Sequence, residues 1–540
     1  MLSDSFDYII IGAGSAGCVL ANRLSKDPNT RVCIVEAGGK DDALRVRVPA
    51  GILSLYNDPK YDYGYMSVPQ PGLNGRRIPM NRGKALGGSS AINSMLYIRG
   101  ASSDYDEWAE LGCAGWSWTD VLPVFKDLEN NHIGQDPAYH GTGGELHVNE
   151  HRDPNPVGKM FIKAGRATGL EENTDMNSGT QEGLGIYNVT QHDGMRWSSY
   201  RAFLHPVRDR ANLTILIGTD TKKVIVENGR ATGVEVSGPE GARVLKAAKE
   251  VILSAGAINS PELLLRSGIG PAENLTSAGV TVVHDLPGVG QNLRDHIDGM
   301  ITVRSNSTKT LGLSIKNLPS MIAAPFQWLA GRKGMFATNY VEAGGFARTK
   351  YANDTPDIQF HFVPGYRSHR GRVIEYGHGY AVHTCVLRPK SIGEIRLGKT
   401  GELEIDPKFF SDPQDATVLI EGIKTARAIL GDSTFDDIRG KEMLPGDEVK
   451  TDEQILDYLK REALTVFHPV GTCKMGTDEM AVTDPATLKV RGIEGLRVAD
   501  ASVMPTLIGG NTNAPTMMIG EKCARMILSD AAGTATKSHI

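Results

Sequence analysis

The first apolar run of the chain, Phe6 to Ile11, is too short and too continuous for an amphipathic helix. It predicts a strand buried on both faces. Glycine punctuation follows at once (Gly12-Ala13-Gly14-Ser15-Ala16-Gly17), and Cys18 to Leu24 has the apolar pattern of a helix. A second run, Arg31 to Val35, ends at Glu36. Further strand patterns fall at Leu213–Ile217, Lys222–Val226, Thr232–Val236 and Glu250–Leu253, bounded by Gly, Asn and Pro turns. Alternating segments such as Ile358–Phe362 and Glu394–Leu397 predict half-buried strands in a different part of the chain. Leu318 to Ala330 is a longer apolar stretch, short of the roughly 18 residues that span a bilayer. It predicts a buried or channel-lining helix, with a membrane-surface contact as the alternative.

Strand, glycine turn, helix, strand and acid in this order predict a dinucleotide site. Gly12 permits the tight turn, Gly14 lets backbone N–H groups approach a pyrophosphate, and Gly17 allows helix and strand to pack closely. Ser15 and Ala16 open the helix whose positive end would face the phosphates. Glu36, with Ala37 beside it, stands 19 residues past Gly17 (36 − 17), where an acid accepts hydrogen bonds from ribose hydroxyls. This pattern does not choose between NAD and FAD.

Other segments change that. Asn81 to Asn93 reads Asn-Arg-Gly-Lys-Ala-Leu-Gly-Gly-Ser-Ser-Ala-Ile-Asn, small enough in its side chains for the backbone to pass close to a flat ring. Ser254 to Gly270 is a second glycine turn followed by a helix with Pro261 in its first turn. Near the end stand His468-Pro469-Val470-Gly471-Thr472-Cys473, Leu496 to Pro505, and Gly509-Gly510-Asn511-Thr512-Asn513-Ala514-Pro515-Thr516.

Together these segments resemble the signatures of the glucose–methanol–choline (GMC) oxidoreductases from Phe6 to about Ile527. Arg196-Trp197-Ser198-Ser199, Glu342 to Phe346 and Ile358 to Phe362 resemble the branch of bacterial choline-dehydrogenase-like proteins and flavoprotein alkanol dehydrogenases. The resemblance implies FAD and an α/β (α+β overall) architecture. A Rossmann-like FAD-binding domain would carry a substrate domain built on an antiparallel sheet covered by helices. The implied segments are 1–155, 210–300 and 462–540 for the cofactor domain, and 156–209 and 301–461 for the substrate domain.

The resemblance also assigns roles. His468 is the implied base for the hydroxyl proton, a task that suits an imidazole. Asn511, counted from Asp500, is the implied donor to the substrate oxygen; Asn513 lies two residues on and is easily mistaken for it. Arg82, Leu86, Gly87, Gly88, Ser89, Asn93, Ser94, Met95, Val224, Ala255, Phe467, Asp500, Ala501 and Thr512 are expected to contact the cofactor. Relatives that bind FAD covalently do so through a histidine where this chain has Ile92, so the cofactor is expected to be non-covalent. Glu342, Tyr340, Phe362 and Val466 are expected in the substrate pocket, with Glu342 and Tyr340 suited to a cationic alcohol such as choline.

Composition narrows the partners. With 58 Lys+Arg, 63 Asp+Glu and a formal net charge of −5, no basic excess suggests nucleic acid. Six scattered cysteines without C-x-x-C, and no basic-then-apolar leader, point to reduced thiols and the cytoplasm. His361, His369, His378 and His383 are close in sequence but match no metal spacing. The expected activity is oxidation of a primary alcohol (aliphatic, aryl or choline-like) to its aldehyde, with a quinone or dioxygen as acceptor. A quinone acceptor would bring the chain to the inner face of a membrane. An oxygen-using oxidase of the same family, or a family lyase or photoenzyme, is the alternative.

Overall fold

The computed structural model describes residues 4–366 and 376–537; His369 lies outside them. Two seven-stranded sheets organise the chain.

The first grows from the opening apolar run. Ser5–Ile11 pairs in parallel with Val32–Glu36 on one side and with Gly241–Leu253 on the other. Ile9, Ile10 and Ile11 lie beside Val251, Ile252 and Leu253, all at most 4% exposed. Both faces are covered, which is why these strands are continuous apolar runs rather than alternating ones. Leu213–Ile217 extends the sheet beyond Val32–Glu36, and Leu496–Val498 joins Gly241–Leu253 in parallel. Arg230–Gly238 and Asp220–Glu227 continue it as an antiparallel meander. Ser15–Leu24 packs on the C-terminal helix Asn513–Lys537.

The second sheet is antiparallel throughout, in the order Glu442–Leu444, Ile297–Ser305, His378–Val386, Ile358–Val363, Ala343–Ala347, Gly183–Ile186, with Leu464–Thr465 paired to Ile297–Ser305. Helices Pro156–Gly165, Pro413–Leu430 and Asp452–Glu462 pack on it. Period-two alternation then sorts the side chains. Ile358, Phe360 and Phe362 enter the core beneath the helices, as do Ile297, Ile301, Tyr380 and Val382. The intervening Asp298, Met300, His361, Val363 and His383 line a cavity on the opposite face.

Leu318–Gly331 is a helix, but the expectation of a buried or channel-lining one fails. Only Ala324 and Trp328 of its side chains are buried. Among the described residues, no helix is long and apolar enough to cross a membrane.

Candidate active site

Close backbone packing builds the cofactor end. Gly12 has φ +97°, and a β-carbon there would stand 2.6 Å from the Ser254 carbonyl oxygen. At Gly17 it would fall 1.9 Å from the Gly12 carbonyl oxygen, so this glycine serves helix–strand packing, not a ligand. Gly88 (φ +53°) brings the second glycine segment against the first: its β-carbon would lie 2.8 Å from Gly14 Cα. Gly14 precedes the first turn of Ser15–Leu24, which contains no acidic side chain and so leaves the positive helix end open to an anion.

Two buried carboxyl groups brace these turns. Glu36 accepts N–H bonds from Ala13 (2.9 Å) and Gly38 (2.8 Å), and burial pushes it up to about 7. Asp500 accepts from Gly256 N–H (2.8 Å), Ser260 Oγ (2.5 Å) and Ser502 N–H (2.8 Å), with burial raising its pKa. The buried Arg196 donates to the Asn93 carbonyl (2.6 Å) and to Asn93 Oδ1 (2.8 Å), fixing that segment from behind.

A cavity of about 1120 Å³ joins these parts to the second sheet. Gly12, Gly14, Ser15, Ala16, Glu36, Ala37, Arg82, Gly88, Ser89, Asn93, Ser94, Met95, Ala255, Phe467, Asp500, Ala501 and Thr512 lie on its wall, as do His468, Asn511, Tyr340 and Val466.

Six expected residues do not. Gly17, Leu86 and Gly87 stand behind the wall; the Leu86 and Gly87 N–H groups bond the Gly39 and Ala13 carbonyls. Val224 is a core side chain whose N–H is bonded to Ser267 Oγ at 2.8 Å. Phe362 stacks on Phe161 at 4.7 Å in the core under the helices, because it has the opposite parity to His361. Glu342 is 1% exposed and accepts the Asn155 N–H at 2.5 Å. It holds a chain crossing together, and its pKa is raised by burial.

His468 sits at the meeting of the sheets. Phe467 before it adopts φ +67°, a conformation non-glycine residues hold only when their surroundings enforce it. The restraints are visible: Phe467 N–H donates to Thr465 Oγ1 (2.8 Å), and its carbonyl accepts from the Arg82 guanidinium. Asp295 accepts from His468 N–H (2.8 Å) and Thr465 Oγ1 (2.6 Å).

The ring itself belongs to a chain whose direction can be deduced. The Leu387 carbonyl can only accept, so His296 Nε2 donates to it at 3.2 Å. Neutral His296 then offers a lone pair at Nδ1, and His468 Nδ1–H donates to it at 3.0 Å. That leaves the His468 Nε2 lone pair facing Asn511 Nδ2 at 3.2 Å. Gln359 Nε2 donates to Asn511 Oδ1 (3.2 Å) and orients the amide. Burial first, then His296, His361 and Arg82, hold His468 well below the usual histidine range, so its base form prevails at neutral pH. The cavity therefore presents an acceptor nitrogen and an amide donor to one small group.

His296, Gln359, His361 and the pair His383 Nδ1–Asp298 Oδ2 (2.8 Å) were not anticipated. Asp295-His296 begins two residues past the glycine turn Gly288–Leu293, and Gln359 and His361 are the polar parity of an alternating strand. Both signals were present in the sequence. Away from the cavity, His132, His147 and His192 bring ligand-type atoms within 4.8 Å of one another. His147 and His192 stack at 3.8 Å and 18°, so their in-plane lone pairs run side by side rather than converging.

Comparison with known proteins decides the family. Two family models, each described as GMC oxidoreductase, match residues 6–298 and 389–520.

This chain belongs to the GMC oxidoreductases.

It is 45% identical over 528 residues to an alcohol dehydrogenase [acceptor] of Pseudomonas putida, covering 97% of this chain and 96% of that one. An oxygen-dependent choline dehydrogenase of Rhizobium etli is 42% identical over 530 residues, covering 97% and 95%. Among solved structures, pyridoxine 4-oxidase from Mesorbium loti superposes with a TM-score of 0.86 at 32% identity, covering 96% and 98%. Formate oxidase of Aspergillus oryzae gives 0.89 at 28%, covering 97% and 98%. The GMC member described here is an FAD enzyme acting on CH–OH donors. The cavity fits that cofactor: glycine turns with no room for a β-carbon, an open helix N-terminus and a buried acid after the second strand share one wall.

Proposed function

We propose that this protein oxidises an uncharged primary alcohol to its aldehyde and passes the electrons to a quinone. When bound, the flavin supplies the hydride acceptor at N5. His468 takes the hydroxyl proton at Nε2, the one nitrogen the hydrogen-bond chain leaves with its lone pair toward the cavity. Asn511 donates its N–H to the oxygen as alkoxide character develops, its amide held by Gln359. Gly12 to Ala16, Glu36, Gly88 to Met95, Ala255, Asp500 and Thr512 would hold FAD. Ile92 on the wall offers no nucleophile for a covalent link.

The His468–Asn511 pair on the cavity wall carries this reading. The sheet on Ser5–Ile11 serves as the cofactor domain, and the antiparallel sheet roofs the reacting centre as the substrate domain. Met300, Val341, Val363, Leu444, Leu464 and Val466 give the roof an apolar part beside the polar Asn339, His361, His383 and Thr465, and that part suits an uncharged alkanol or aryl alcohol. Asp298 and Glu462, both on the cavity wall, favour a cation such as choline instead; His383 already engages the Asp298 carboxylate. All six cysteines are free and buried, in keeping with a reducing, cytoplasmic setting. A quinone acceptor would place the enzyme peripherally at the inner face of a membrane.

The deciding experiment is anaerobic bleaching of the flavin absorbance by alkanols, aryl alcohols and choline, followed by admission of oxygen or a quinone analogue. Fast bleaching by an uncharged alcohol with faster reoxidation by quinone is expected. Preference for choline, or faster reoxidation by oxygen, overturns the corresponding half of the proposal. Absence of bleaching by every alcohol would leave the lyase or photochemical reading.

A further inference from the structure

The helix Leu318–Gly331 carries its apolar face outward. Leu318, Ile322, Phe326 and Leu329 are 50 to 69% exposed, and Ile315 in the preceding turn is 80% exposed. Successive steps of three, four, four and three residues put all five on one side of the helix. Tyr376, also well exposed, is bridged to Leu313 at the start of the same patch. Single exposed apolar residues are ordinary on a protein surface; a contiguous face of this kind marks an interaction site.

Charge identifies what covers it. Between Asp298 and Glu342 the chain has Arg304, Lys309, Lys316, Arg332 and Lys333 and no acidic residue, although the protein as a whole carries −5. Lys316 precedes the helix and Lys333 follows it; Arg332 between them stacks on Trp328 at 3.9 Å, and Asp153 accepts the Gly334 N–H at 2.9 Å at that end. A second copy meeting this face through a twofold axis would set like charges against each other. Bulky apolar side chains with the exposed Lys316 and Lys333 at the two ends suit the boundary between acyl chains and anionic headgroups.

We propose that this face seats the enzyme on a membrane surface bearing anionic lipid. The turn Gly334–Phe336 that follows the helix packs on Pro49–Ser54, and Ile52 and Leu53 of that segment line the cavity. Seating would bring one wall of the cavity to the lipid, where a lipophilic alcohol or quinone is concentrated. The surface stands on its own geometry, independent of which alcohol is oxidised.

The test is flotation of the purified holoenzyme with vesicles of phosphatidylcholine alone or mixed with phosphatidylglycerol. Binding to the mixed vesicles is expected, roughly tenfold weaker to the neutral ones and weakened by salt. The double variant Ile322→Asp/Phe326→Asp should lose it while keeping its flavin spectrum and its turnover with a soluble dye. Failure of the wild type to float with anionic vesicles overturns the proposal, as does flotation of the variant like wild type. Dimerisation in ultracentrifugation that the variant abolishes, without vesicle binding, would assign the face to a second copy. Vesicle binding is scored without any turnover, so its failure is distinct from failure of the alcohol reading.

Discussion

His296 Nδ1 lies 3.0 Å from His468 Nδ1, and the Leu387 carbonyl on the far side of His296 decides which ring donates. His296 thereby selects the tautomer of His468 and turns its Nε2 lone pair toward Asn511. His468→Ala should retain FAD and lose about 10²-fold or more in kcat. His296→Leu should lower kcat by about tenfold or more with little change in KM. It should also move the acid limb of the kcat/KM profile upward, because the His296 imidazole helps to depress His468. His296→Gln, whose carbonyl can still accept from His468 Nδ1–H, should recover part of the rate. A His296→Leu enzyme with wild-type turnover and pH profile would remove the tautomer argument.

Asn511 reaches His468 Nε2 through its Nδ2 and is held by Gln359 through its Oδ1. Asn511→Ala should cost about 3 kcal/mol in transition-state stabilisation, roughly 10²-fold in kcat/KM. Gln359→Leu should cost less, since the amide remains and only its orientation is freed. Rapid-reaction measurement of flavin reduction checks both. An equal loss in the two variants would mean that Gln359 does more than orient.

Glu342 and Phe362 should report on stability, not on substrate choice. Glu342→Ala leaves the part-buried Asn155 N–H without its acceptor, a cost of about 1 kcal/mol. Phe362→Ala opens a cavity beneath the helices at about 3–5 kcal/mol. The ratio of kcat/KM for choline to that for an alkanol should stay unchanged in Glu342→Ala, while denaturant midpoints fall in both. A selective loss of choline turnover in Glu342→Ala would return that residue to the pocket.

His151 is buried away from the cavity wall, and burial alone pushes it down to about 3. Its folded pKa is below the unfolded value of about 6.5, so the unfolded chain binds the proton first on acidification. The stability from keeping His151 neutral is present above about 6.5 and is lost as pH falls toward 3. Glu36 and Asp295, raised to about 7 and about 6, run the opposite way, so the comparison must isolate one site. The stability of His151→Gln relative to wild type should improve toward a limit of about 1.4 kcal/mol per pH unit below pH 6.5. Denaturant unfolding of the two proteins at pH 7, 6 and 5 measures it; parallel pH dependence would show that His151 titrates normally.

The sequence alone determined the glycine turns and the strands that feed them; His468 and Asn511 are legible only through the resemblance of their motifs to the GMC family, and their roles stand as a proposal. The turns and strands are local features: a strand buried on both faces must be continuously apolar, and backbones that touch must lack a β-carbon, as at Gly12 and Gly17. The alternation of Ile358 to Phe362 was equally legible, but which parity faced the cavity was not. Helices Pro156–Gly165 and Pro413–Leu430, remote in sequence, cover one face and so assign Phe362 to the core and His361 to the cavity. The Leu387–His296–His468–Asn511 chain and the Asp298–His383 pair likewise join segments far apart in the chain. The outward face of Leu318–Gly331 was decided the same way. An apolar run states that a helix has an apolar side; only the packing of everything else determines whether that side is covered.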